Sequence, residues 1–267
     1  MRTTRAAREW HSSRTPARCD TFVVDARDRP TWSDIASWYD DLLTGGSGPH
    51  QTAVRCLVSL LPDVHDATVL DVACGQGLAT RAVAARGAAR VLGIDSAPQM
   101  IEHARRHSVP ENSNVSYALG DAQRLDNVDE ASVDGVTCQL ALMDIVDLDA
   151  TLRSIHRILK PSGWFVFVIG HPCFLAPDAS LTPTPAGRPA VTVTGYFDER
   201  FWRSSNPNGV RRVGNHHRTL STYLNALVRT GFTLEAVDEP RADPLLAEQQ
   251  PLYTEVPIFF GARARRN

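Results

Sequence analysis

The chain has 267 residues, of which 43% are hydrophobic and 22% charged, and it carries a net charge of −2. That balance suits a globular chain with a sizeable core and supplies no basic field that would recruit nucleic acid. Five cysteines (Cys19, Cys56, Cys74, Cys138 and Cys173) are odd in number and show no C-x-x-C spacing, which excludes a simple disulfide framework or zinc ribbon and fits a reducing cytoplasm.

Residues 1–30 are rich in arginine (Arg2, Arg5, Arg8, Arg14, Arg18), lack the apolar stretch of a secretion signal and read as a flexible tail. Trp32, Ile35, Trp38 or Tyr39, and Leu42 recur at helical spacing and predict a helix over 31–43, capped by Thr31 or Ser33. Gly45-Gly46-Ser47-Gly48-Pro49 breaks it, and a second helix is expected over 51–61. Residues 31–65 are thus expected to form a helical lid ahead of the first strand. From 66 to 170 strands and helices alternate. Strands are predicted at 68–73, 89–95, 114–119, 133–140 and 164–170, with helices between them; the last of these strands is nearly all apolar and therefore central. No run is apolar over the length of a bilayer, so no membrane partner is expected.

This rhythm predicts an α/β, Rossmann-like, doubly wound sheet, mostly parallel with an antiparallel last strand. Ligands of such sheets bind outside the carboxyl ends of the strands, where Asp71, Asp95, Asp121, Gln139 and His171 fall. Residues 171–217 lose the periodicity but keep scattered aromatics, which favours a packed cap insertion over a linker. Residues 218–267 resume with a helix over 219–230 and two strands, over 233–238 and 255–262, completing the core.

The stretch over 68–79, TVLDVACGQGLA, is strand, glycine turn and helix. Such a turn brings bare backbone N–H groups close to a ligand. A dinucleotide fingerprint would place a third glycine where Thr80 stands, so pyrophosphate binding by an NAD(P)-dependent oxidoreductase is the weaker alternative. The arrangement resembles the class I S-adenosylmethionine-dependent methyltransferases. The matching residues are Asp71-Val72-Ala73-Cys74-Gly75-Gln76-Gly77, Gly93-Ile94-Asp95-Ser96, Gly120-Asp121-Ala122 and Ile158-Leu159-Lys160-Pro161-Ser162-Gly163-Trp164, in that order. Ala73 departs from the pattern, where the family often has glycine; a slightly tighter turn is expected.

The resemblance implies S-adenosylmethionine as cofactor and a set of roles. Asp71 would bind the amino end of the methionine moiety, with Ala73, Gly75 and Gly77 lending backbone. Asp95, beside Ser96, would accept from both ribose hydroxyls. Met100 would pack on adenine, and Asp121 and Ala122 would meet its amino edge. Gln139 or Leu140 would offer a backbone carbonyl to the ammonium. Tyr39 would close over the methionine end.

For the acceptor side, His171 and Tyr39 are the catalytic candidates, and Trp38, Met143, Tyr196, Trp202 and His217 the substrate-binding ones. Asp144 reads as structural, and His216 as part of a helix start. The His171-Pro172-Cys173-Phe174, Tyr196-Phe197 and His217-to-Ser221 segments look like a bacterial group of small-molecule methyltransferases, some acting on indole-containing specialised metabolites. The expectation is therefore methyl transfer to C, N or O of a small molecule held in an aromatic-walled pocket, with no metal, no nucleic acid and a homodimer admitted. A catalytically silent S-adenosylmethionine-binding regulator is the non-enzyme alternative.

Overall fold

The computed structural model describes residues 30–108, 114–182 and 184–267. The tail expected over residues 1–30 lies outside the described residues up to position 29. Two helices come first, α1 (Ala36–Thr44) and α2 (Gly48–Leu60). The alternating part follows as β1 (Thr68–Val72), α3 (Leu78–Ala84), β2 (Arg90–Asp95), α4 (Pro98–Arg106), β3 (Val115–Leu119), β4 (Val133–Gln139), α5 (Leu148–Ile158) and β5 (Leu159–Gly170). The cap carries two short hairpins, β6 (Ser180–Leu181) with β7 (Val191–Thr192) and β8 (Phe201–Trp202) with β9 (Asn215–His216). The chain ends with α6 (Leu220–Thr230), β10 (Phe232–Asp238), α7 (Pro244–Gln249) and β11 (Phe259–Arg266).

Seven strands form one sheet in the order β10-β11-β5-β4-β1-β2-β3. β11 runs antiparallel to both its neighbours, and the other pairings are parallel. The fold is thus the Rossmann-like sheet with an antiparallel last strand. β5 shows why it is central. Phe165, Phe167 and Ile169 enter the core on one face, while Trp164, Val166 and Val168 enter the core on the other. A strand with period-two side chains and cores on both sides must be apolar throughout. Truncating Phe165 or Phe167 would cost about 3–5 kcal/mol.

Helices cover both faces. α5 and α6 pack through Leu152, Ile155, Tyr223 and Leu227 on one, and α2 through Ala53, Cys56, Leu57 and Leu60 on the other. α2 therefore packs as part of the core flank. α1 lies instead on α4, where Ala36 meets Ala97 and Met100, with Trp32 and Tyr39 beside them.

Several boundaries move. α1 starts at Ala36, not 31, because Thr31 and Asp34 capture one another: the Thr31 N–H and hydroxyl both donate to Asp34 Oδ2 at 2.7 Å. β5 reaches back to Leu159 through the Lys-Pro-Ser-Gly stretch, with a register shift opposite Val133 and Gly135 and Ser162 at φ 61°. The last strand starts at Phe259 because α7 and a 3-10 turn over Pro251–Thr254 occupy the chain before it.

Candidate active site

At the carboxyl ends of β1, β2 and β4 lies a cleft lined by residues of all three strands and of α1. Its floor is the turn after β1. Ala73, Gly75 and Gly77 all take positive φ, at 55°, 54° and 83°. A side chain at Gly75 would project into open space, so the backbone there is bare towards the cleft. Gly77 serves packing instead, since a Cβ there would collide with the Tyr117 ring and hydroxyl. Trp32, Tyr39 and Leu43 roof the cleft from α1 and the turn before it, and His50 joins them from α2.

Three carboxylates converge on this space. Asp71 is fully buried; Thr80 and Thr137 donate to its two oxygens at 2.6 and 2.8 Å. Burial lifts its pKa to about 6 against these stabilising hydrogen bonds, with Asp95 adding to the rise. Thr80, the residue that departs from the dinucleotide pattern, is thus the strap on Asp71. Asp95 accepts the Gly75 and Ala97 N–H groups, one per oxygen and both at 2.8 Å; burial still raises its pKa. Each oxygen keeps a further lone pair for a ligand hydroxyl.

Asp144, read from sequence as structural, lines the cleft as well. Its buried Oδ1 has no hydrogen-bond partner, and Arg211 Nη1 stands 3.5 Å away. Burial lifts the pKa of Asp144 to about 7; Arg211 opposes the rise and Asp95 adds to it. Gln139 Oε1 is a second buried acceptor without a partner. His50 carries no signal in the sequence, because nothing in Gly48-Pro49-His50 marks it beyond a helix start. It pairs with Ser47 Oγ through Nδ1 at 2.7 Å and stacks edge-on to Tyr39; burial, then Arg211, lower its pKa to about 4.

Most of the expected cofactor residues meet here: Asp71, Ala73, Gly75, Asp95, Ser96, Met100, Gln139 and Leu140, with Tyr39 above them. Asp121 and Ala122 do not. Asp121 is exposed and turns onto its own loop, where Oδ1 accepts the Gln123 N–H at 2.9 Å and its side-chain amide at 3.2 Å. Burial raises the Tyr39 phenol, so it holds its proton.

His171 is also outside the cleft. The Cys173 N–H donates to its Nδ1 at 3.2 Å, which leaves Nε2–H to donate to Glu239 at 2.8 Å. Both of its ring nitrogens are thus engaged. His171 instead lines a second, small cavity of about 20 Å³ with Met143, Trp202, His217 and Arg211. Arg211 lines this second cavity and pairs with Asp144 in the first, so the two residues mark the junction between them. Tyr196 and Trp38 line neither cavity. The Tyr196 hydroxyl accepts the Leu220 N–H at 2.8 Å and its carbonyl accepts from His217 Nε2, also at 2.8 Å. Trp38 lies under the Arg212 guanidinium at 3.9 Å.

The sheet order, the glycine turn after β1 and the acid ending β2 define a class I methyltransferase fold with a cofactor cleft. The carboxylates and the two orphaned acceptors suit S-adenosylmethionine, which brings an ammonium, a sulfonium and ribose hydroxyls. Comparison with known proteins agrees. A methyltransferase-domain family model matches residues 70–167. An S-adenosylmethionine-dependent methyltransferase from Mesorhizobium loti is 30% identical and superposes with a TM-score of 0.70, over 83% of this chain and 99% of that one. A putative one from Listeria monocytogenes is 28% identical at a TM-score of 0.70, over 82% and 98%. The chain belongs to the S-adenosylmethionine-dependent methyltransferases, and S-adenosylmethionine is its cofactor. A ubiquinone biosynthesis O-methyltransferase from Xanthomonas oryzae pv. oryzae is 38% identical over 106 residues, 40% of this chain and 44% of that protein. The chain thus spans less than half the length of that relative.

Proposed function

We propose that the chain transfers a methyl group from S-adenosylmethionine to a small molecule by in-line displacement. The observation that carries this is the convergence of Asp71, Asp95 and Asp144 on one cleft. Buried carboxylates are costly unless a cation or hydrogen-bond donors meet them. Bound S-adenosylmethionine supplies a methyl carbon made electrophilic by its sulfonium. Asp71, the Gly75 backbone and Gln139 Oε1 would hold the amino-acid end, Asp95 and Ser96 the ribose, and Met100 the adenine. Trp32, from the turn before α1, and Tyr39 on α1 would exclude water. Such positioning is worth about 7–11 kcal/mol by itself.

Asp144 takes the place of His171 as the candidate general base. Its Oδ1 is unpartnered, and a pKa of about 7 suits proton uptake near neutral pH. An acceptor hydroxyl or amine would lose its proton to Asp144 Oδ1, with Arg211 steadying the carboxylate. The acceptor would reach Asp144 from the cap side, past Arg211, where Trp202 and Tyr223 would have to part to admit a flat ring. This fits an aromatic or indole-bearing specialised metabolite. The small-molecule class is favoured by the relatives named for ubiquinone biosynthesis O-methylation. The working division is a lid over 31–65, a cofactor core over 66–170, a cap over 171–217 and a completing segment over 218–267. We place the protein in the cytoplasm, with no nucleic-acid or membrane partner and with a homodimer as the assembly to test. No described helix is long and apolar enough to cross a membrane.

Calorimetry with S-adenosylhomocysteine tests the cofactor site; a folded protein that fails to bind at high micromolar ligand refutes it. A metabolite panel incubated with isotopically labelled methyl donor tests transfer. Binding without label transfer to any metabolite would favour the silent regulator.

A further inference from the structure

A second constellation lies outside the cleft, in the seam where α1 rests on α4. His103 and His107 are four residues apart, so they project from one face at the end of α4. Asp40 comes from α1 and sits between them. Its Oδ2 lies 2.8 Å from His103 Nδ1 and its Oδ1 2.7 Å from His107 Nε2. One ligand atom from each of the three residues falls within 4.8 Å of the other two. The Asp40 and His103 side chains are largely buried, at 14% and 6% exposed, while His107 at 30% leaves a solvent-facing side.

We propose that Asp40, His103 and His107 form a site for a divalent transition-metal ion of the zinc type, which fastens α1 to α4. Two imidazoles and one carboxylate are a recurrent donor set for such ions, and imidazoles at this helical spacing can chelate together. The metal–ligand bonds would be about 2.0–2.2 Å, so tetrahedral partners would stand about 3.3 Å apart. Each imidazole would therefore draw back from its Asp40 oxygen by about half an ångström, and ligand atoms that stand up to 4.8 Å apart would close to the same spacing. The open position faces the His107 side and takes water. No net proton is released when both histidines are neutral. The His103 proton moves to Nε2, where Ser37 Oγ lies 3.4 Å away, and the His107 proton moves to Nδ1. Ser37 is thus the outer partner that orients His103, as metal-bound histidines commonly have.

The placement gives the site a consequence. Asp40 follows Tyr39, which roofs the cofactor cleft, and α4 carries Met100, which lines it. A metal ion across the seam would hold the roof down. Without one, the same residues are a hydrogen-bonded clasp that water and thermal motion can open.

The test uses the full-length chain, stripped with chelator, and Co²⁺ and Zn²⁺ alone. The expected result is one Co²⁺ per chain, with visible absorption bands of a low-symmetry nitrogen and oxygen site, displaced by Zn²⁺. His107→Gln, at the most exposed ligand, should weaken binding at least about tenfold and keep the fold; Ser37→Ala should weaken it about tenfold through His103. Hydrogen exchange of the α1 amides should slow when Zn²⁺ is added to the wild type and not to His107→Gln. Equal Co²⁺ affinity in wild type and His107→Gln would overturn the site. Binding that leaves α1 exchange unchanged would overturn the fastening. None of these readouts depends on methyl transfer.

Discussion

Asp144→Asn isolates the electrostatic strain of the cleft. In the folded protein without cofactor, Asp144 titrates near 7 because burial penalises its charge, whereas the unfolded chain should show the ordinary value of 3.8. A raised folded pKa means that the protonated carboxyl is fully compatible with folding at low pH. Stability is then lost as pH rises towards 7, where the proton leaves the folded state. A tenfold difference in proton affinity between folded and unfolded chains corresponds to about 1.36 kcal/mol, so the ionised side chain costs the fold up to about 4 kcal/mol above pH 7. Asparagine keeps the shape and cannot ionise. Asp144→Asn should therefore be more stable than the wild type at pH 8. The advantage should shrink by about 2 kcal/mol on going to pH 5.5, since about one and a half pH units of that window lie below the folded-state midpoint. Urea denaturation of both proteins at several pH values measures this directly. A stability difference that does not change between pH 8 and 5.5 would show that Asp144 is not strained, and would remove the reason to read it as the base. A carboxylate so perturbed inside a cleft is a candidate functional group.

Asp95→Ala should weaken S-adenosylhomocysteine binding on the order of a hundredfold by calorimetry, because two charge-assisted hydrogen bonds are worth about 1.5 kcal/mol each at the low end; unchanged affinity would refute the ribose role. Ala73→Gly should stabilise the chain by up to about 1 kcal/mol, since alanine at φ 55° is strained and glycine returns part of the gain as chain entropy. A loss of stability in urea would mean that the turn tolerates the methyl better than its dihedral implies. His171→Ala should lower the melting temperature and leave S-adenosylhomocysteine affinity unaltered, because His171 is tied to Glu239 and the Cys173 backbone. Tighter or weaker cofactor binding in a folded variant would contradict that placement.

The cofactor half of this protein is legible in its residues. Strand alternation, the glycine turn and an acid at or beside the end of each of the first two strands are local patterns, and each places its residue near a strand end without knowledge of the rest of the chain. Asp71 and Asp95 stand out for that reason. Asp121 shares the pattern and stays out of the cleft, because its carboxylate is satisfied by its own loop at Gln123. The acceptor half is decided by tertiary structure alone. Asp144 lies in an irregular stretch, and tertiary packing buries it near Asp95, with Arg211 arriving from the cap as a counter-charge 3.5 Å away at the junction of two cavities. His50 reaches the cleft because α2 packs beside β11 and turns its first residues towards Tyr39. His171 has the sequence position of a base and is held by Glu239 from beyond β10. A pKa and a hydrogen-bond partner depend on what folds back onto a residue from far along the chain. Periodicity fixes which way a strand end points, and only packing decides which charges meet there.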